Sequence, residues 1–150
     1  MSTRCRIGFR LPNGEVKSIY CHHDGYPEGA GETLKEYYND PKKIEELLEL
    51  GDISSLGTHY DKDLAKLDWE KPYSELSDEQ KKALETNTLP YSDRGENVPA
   101  RIDTFGEFYE KLGKCGEEYT YLYDTDWSGV YKWRICETPY FKDYGEEKDA

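Results

Sequence analysis

An α+β fold is what this sequence predicts: an antiparallel sheet built from an N-terminal and a C-terminal β-hairpin, with helices packed on one face. Two observations carry the prediction. Apolar and polar residues alternate with a period of two near both ends of the chain, and the segments between them carry helix starts followed by apolar residues three and four apart. At 150 residues, 35% of them hydrophobic, the chain has the size of one domain with one modest core. Residues 1–141 are read as that domain and the acidic stretch 142–150 as a disordered tail.

The first hairpin spans residues 4–22. In RCRIGFRL, Cys5, Ile7, Phe9 and Leu11 fall on one side and Arg4, Arg6, Gly8 and Arg10 on the other, the pattern of a half-buried strand. Pro12 and Asn13 suit the centre of a type I turn with Gly14 as a bulge, which would set Ile7 opposite Ile19 and Cys5 opposite Cys21. A two-residue Asn-Gly turn would shift this register by one. A short helix is expected over 30–39. Asp40 then reads as N-cap and Pro41 as first residue of a second helix, with Ile44, Leu47 and Leu48 on one face and Gly51 as its stop.

From 57 to 101 the apolar density drops to isolated anchors (Trp69, Leu76, Leu84, Leu89), and the stretch reads as a loop-rich insertion with one capping box starting at Ser77. Thr104 with Glu107 forms another capping box, ahead of a helix whose stripe is Phe105, Phe108 and Leu112. EYTYLY and VYKWRIC alternate on either side of DTDWSG and make the second hairpin, with an aromatic face of Tyr119, Tyr121, Tyr123, Tyr131 and Trp133.

The formal net charge of −12 opposes non-specific binding to nucleic acid or to an anionic membrane, and favours basic partners. The sequence contains no long apolar run and no signal-like N-terminus, so the expected location is the cytoplasm. In that reducing compartment the four cysteines read as small buried hydrophobes. Fourteen tyrosines form a composition suited to recognition.

The candidate ligand site centres on IYCHHDGYPEGAG, residues 19–31. Its loop, with Asp24, Gly25, Tyr26, Gly29 and Gly31, runs into a helix and could present backbone N–H groups to an anion. The glycine spacing matches neither a phosphate-binding loop nor a dinucleotide fingerprint, and a plain strand-to-helix connection would also need glycines for its backbone angles. Arg4, Arg6 and Arg10 share the non-core face of the first strand, and the preferred register brings Tyr20 and His22 onto that face. Guanidinium groups bind phosphate and stack on bases, so an anionic aromatic ligand such as a nucleotide would fit, with His23 adding hydrogen bonds and Tyr20, Tyr26 or Trp127 stacking. The competing expectation is that these arginines pair with surface carboxylates.

Other chemistry finds less footing. His22 and His23 should point to opposite faces of a strand, and no zinc-type spacing exists, so neither metal nor cofactor is expected. A Cys21–His dyad lacks an orienting partner, and no catalytic residue is assigned. DTDWSG begins like a calcium loop but has Ile135 where a bidentate Glu is required.

In RCRIGFRLPNGEVKSIYCHHDGYPEGAGETLKEYY, KIEELLELGDISSLG, TLPYSDRGE and EYTYLYDTDWSGVYKW, the chain resembles a family of small accessory proteins of bacteriophages and prophages. The resemblance implies a counter-defence context in the host cytoplasm and carries over no functional residues. Within that context the sequence supports two readings. The first is a non-enzymatic sponge that sequesters a phosphate-bearing nucleotide immune signal through the arginine face. The second is an acidic inhibitor that docks Glu45, Glu46, Glu49 and Asp52 on a CRISPR or restriction nuclease. Oligomeric state is left open by the sequence.

Overall fold

The computed structural model describes residues 3–60, 73–78, 81, 86–96, 98–114, 116–125, 129–137 and 140–143. Its first hairpin joins β1 (Cys5–Arg10) to β2 (Val16–His23) with Cys5 opposite Cys21 and Ile7 opposite Ile19. The Gly14 N–H donates to the Leu11 carbonyl at 2.8 Å and Gly14 has φ +89°, as a type I turn closed by a glycine bulge requires. The expected register is therefore the observed one.

After the hairpin a single π-helical turn (Pro27–Gly31) leads into α1 (Glu32–Tyr37). Helix α2 (Pro41–Glu49) follows, with the Asp40 carboxylate accepting from the Lys42 N–H at 3.1 Å. Pro41 occupies the first helical position, and Gly51, at φ +78°, takes the left-handed turn just past the end. Then come β3 (Ile53–Ser55), β4 (Leu89–Pro90), β5 (Arg101–Asp103), α3 (Phe105–Glu110), β6 (Tyr119–Thr125), β7 (Tyr131–Glu137) and β8 (Tyr140–Asp143). Thr104 and Glu107 close the capping box that starts α3.

The strands form one mixed sheet in the order β4-β3-β2-β1-β6-β7-β8, with β5 pairing with β2. The sheet is not purely antiparallel, as the two hairpins suggested: β1 runs parallel to β6, and β2 parallel to β3. Alternation specifies which side chains face the core but not the direction of a partner strand, so only the hairpin-linked pairs were legible.

A second correction concerns the helices. Leu34 of α1 and Ile44, Leu47 and Leu48 of α2 bury against Cys5, Ile7, Ile19, Cys21, Tyr121 and Trp133. Helix α3 lies on the opposite face, where Phe108 packs with Val16 and Leu122. Gly8 makes this possible, since a Cβ there would lie 3.2 Å from Val16, 3.3 Å from Leu122 and 3.4 Å from Phe108. The arginine-bearing face of β1 thus carries a small apolar core of its own.

The tyrosines serve as anchors. The Tyr38 hydroxyl donates to the Gly57 carbonyl (3.0 Å), Tyr121 to Gly25 (2.7 Å) and Tyr123 to Asn39 (2.9 Å), while the Trp133 indole N–H donates to Tyr38 (2.9 Å). The bonds of Tyr121, Tyr123 and Trp133 tie a loop or helix end to the sheet, and that of Tyr38 ties the end of α1 to the loop at Gly57. Cys5, Cys21 and Cys136 are buried free thiols, as expected. The segment 57–101 is stitched to the rest: Asp52 N–H donates to Val98 (2.8 Å), Tyr91 N–H to Asp52 (3.1 Å), and β4 pairs with β3. Strand β8 pairs with β7 and extends the sheet to Asp143, into the stretch read as a tail. Trp69, Leu84, Cys115, Trp127 and the rest of that stretch lie outside the described residues. Among the described residues no helix is long and apolar enough to cross a membrane.

Candidate functional site

The register does bring Arg6, Arg10, Tyr20 and His22 to one face of the first hairpin. The face is not open to a ligand in the way the sequence suggested. Arg6 is buried at 6% exposure; its Nε donates to Glu117 Oε2 at 2.8 Å and its Nη1 to Ser18 Oγ at 3.0 Å. Glu117 is itself buried. Arg10 lies 3.6 Å from Asp124 and stacks over the Phe105 ring at 4.3 Å. On β5 the same device recurs, with Asp103 accepting from Arg101 (2.5 Å) and Lys111 (2.7 Å). The expectation that these arginines meet carboxylates describes Arg6 and Arg10 correctly, except that the carboxylates are buried rather than on the surface.

Arg4 stays exposed, its guanidinium against Gly116. Burial, and to a lesser extent the Tyr91 hydroxyl and Glu117, push the Tyr20 phenol up, while Arg4 opposes the shift. Tyr20 and His22 share a hydrogen bond of 2.8 Å between the hydroxyl and Nδ1. The His22 and His23 rings meet edge to face at 4.6 Å, so strand alternation does not keep them apart as expected. Among the described residues no group of three or more His, Cys, Asp or Glu side chains is placed to hold a metal ion.

The glycine loop turns its donors inward. Gly25 N–H donates to Thr3 (2.8 Å), Gly29 N–H to Tyr26 (2.9 Å), Ala30 N–H to Asp24 (2.9 Å) and Gly31 N–H to Tyr26 (3.5 Å). An anion at this turn would compete with those bonds. The left-handed residue is Asp24, at φ +57°, rather than a glycine. Gly25 and Gly29 are there for close approach: a Cβ on Gly25 would lie 2.7 Å from Cys5 Cβ and 2.9 Å from the Arg4 carbonyl carbon, and one on Gly29 would lie 2.5 Å from the Asp24 carbonyl oxygen. Tyr26 is 38% exposed beside this turn.

The opposite side of the molecule has a different character. Between Glu28 and Glu49 seven carboxylates (Glu28, Glu32, Glu36, Asp40, Glu45, Glu46, Glu49) stand against three lysines, and all seven are exposed. Five of them lie on the outer surface of α1 and α2, whose inner faces hold Leu34, Ile44, Leu47 and Leu48; Glu28 lies in the turn before α1 and Asp40 caps α2. Glu49 pairs with Lys17 at 2.6 Å, and that hydrogen bond holds its carboxyl below the usual range. Asp52 does not belong to the cluster. Its Oδ1 accepts the Tyr20 N–H at 2.9 Å, on the stretch of β2 between β3 and β5, and burial raises its carboxyl.

A feature the sequence did not signal lies between α1, α2 and residues 58–60: a cleft of about 320 Å³. Its lining comes from three separate segments, including Tyr37, Lys43 and His59. Local periodicity could not have joined them. Compared with protein-family models, with curated proteins and with solved structures, the chain matches none.

Proposed function

We propose that the protein acts without catalysis, by laying the acidic outer face of α1 and α2 against a basic surface of another protein. The observation that supports this reading is the partition of charge. Arg6, Arg10 and Arg101 are drawn into ion pairs with Glu117, Asp124 and Asp103, whereas the seven carboxylates between Glu28 and Glu49 remain at the surface. Such a face presents spaced negative charge on a rigid support, which is what a surface evolved to grip a phosphate backbone recognises. The resemblance to phage accessory proteins adds the context of a host defence nuclease in the cytoplasm. The sponge reading keeps Arg4, Tyr20, His22 and His23 as ligand groups but loses Arg6, Arg10 and the loop amides to internal partners.

The test is cleavage of DNA by a panel of purified CRISPR and restriction nucleases in the presence of the protein. Inhibition of a member is expected to weaken by an order of magnitude or more between about 50 and 200 mM salt, because the contacts are exposed charges. Glu45→Lys with Glu46→Lys should abolish it while the fold, read by circular dichroism, stays intact. Inhibition that ignores salt and survives both reversals would overturn the reading, as would a panel with no inhibited member.

A further inference from the structure

The cleft between α1, α2 and residues 58–60 combines chemistry that a plain packing gap does not need. Tyr37, Tyr38 and Tyr60 line it, Leu47 and Leu50 supply an apolar floor, and Lys43 contributes an ammonium group. The Tyr38 hydroxyl is already engaged by the Gly57 carbonyl, so this residue offers only its ring. Tyr37 is 42% exposed, so its ring is open to solvent. Opposite α2, the wall is fixed before any ligand arrives. Gly57 N–H donates to Thr88 Oγ1 at 2.9 Å, the chain at 58–59 is bonded to 86–88, and Thr58 Oγ1 holds the His59 ring through Nδ1 at 2.9 Å. A Cβ on Gly57 would lie 2.3 Å from the Thr86 carbonyl oxygen, so the two segments could not approach this closely with any other residue there.

We propose that this cleft binds a small molecule made of a planar aromatic ring and one acidic group, the ring lying among the tyrosines and the acid meeting Lys43. Its volume of about 320 Å³ lies at the lower end of the range for small-molecule sites, roughly 300–1,000 Å³. Aromatic side chains beside an apolar floor select a flat ring, which stacks or meets them edge to face. Glu46, on the same wall as Lys43, leaves the cleft with little surplus positive charge and so selects against polyanions. The proposal goes beyond contact with a basic partner, and its test contains no partner protein, so the two stand or fall separately.

Calorimetry on the full chain uses four probes: adenosine 5′-monophosphate, adenosine, 4-hydroxybenzoate and inorganic phosphate. At least one of the two ring-bearing acids is expected to bind, about tenfold or more tighter than adenosine if it is the monophosphate, with inorganic phosphate giving no heat. Lys43→Met should weaken the acid about tenfold and leave adenosine unchanged, and Tyr37→Ala should weaken both nucleoside probes. Both residues are exposed, so melting temperatures should match the parent. Preference for the monophosphate identifies the acid as a phosphate, and preference for 4-hydroxybenzoate identifies it as a carboxylate. No binding of either acid at millimolar concentration, phosphate binding as tightly as the ring-bearing acids, or binding indifferent to both substitutions would overturn the proposal.

Discussion

Arg6 shows how far a residue's role can move when its face of the strand is covered. By alternation it belongs with solvent; in the fold, Glu117 and Ser18 take its guanidinium inside. A buried ion pair contributes little net stability compared with an apolar pair of the same shape, but removing one member strands the other. Arg6→Ala should therefore cost about 3–5 kcal/mol by urea denaturation, because the buried Glu117 carboxylate would lose the guanidinium that Arg6 supplies. Combining it with Glu117→Leu should recover part of that loss. A single variant within about half a kcal/mol of the parent, the ordinary range for a surface site, would return Arg6 to the surface. The signal for its burial was already in the chain: Val16 and Leu122 share its face, and Gly8 between Arg6 and Arg10 leaves room for Phe108. Glu117, by contrast, sits outside any strand pattern and far along the chain, so nothing local ties it to Arg6.

At the scale of elements, what was legible was whatever neighbours in sequence decide. Both hairpins, the Asp40 and Thr104 caps and the inner stripe of α2 follow from residues within a few positions of one another. The β1–β6 pairing, the placement of α3 and the three-residue β3 depend on segments distant in sequence, and no short-range pattern encodes them. The join of β5 to α3 gives a test. Burial works to raise the Asp103 carboxyl, but hydrogen bonds from Lys111 and Arg101 outweigh it and hold the group below the usual carboxylate range. A depressed folded-state value means stability that is present above the unfolded value, near pH 3.9, and is lost as pH falls through the folded one. Denaturation of the parent should show this acid-side loss, and Asp103→Asn, less stable at neutral pH, should show a shallower slope below about pH 4. Equal slopes for the two proteins would mean the ion pairs of Asp103 contribute nothing to the fold.

Over the whole molecule, charge and topology set the behaviour. With 32 acidic and 20 basic side chains, and with Arg6, Arg10 and Arg101 paired to buried acids, the exterior repels itself. Raising NaCl from about 10 to 150 mM shortens the screening length from roughly 30 to 8 Å, which should relieve the repulsion. The expected gain is about 1 kcal/mol, or roughly 2–4 °C in Tm for a chain of this size. A Tm that falls with added salt would show that surface ion pairs outweigh the repulsion. Topology adds a constraint on how the chain is made. Strand β1 sits at the middle of the sheet, yet its parallel neighbour β6 begins only at Tyr119. At about 5–20 residues per second, a ribosome needs on the order of ten seconds to synthesise the stretch between them. During that interval the early hairpin carries a bare edge along Ile7 and Phe9, the kind of edge that recruits a strand from another nascent chain. Arg4, Arg6 and Arg10 set positive charge beside that edge, which disfavours its pairing with the same basic strand of a second copy, and the Glu117 that takes up Arg6 in the finished fold is itself made only just before β6.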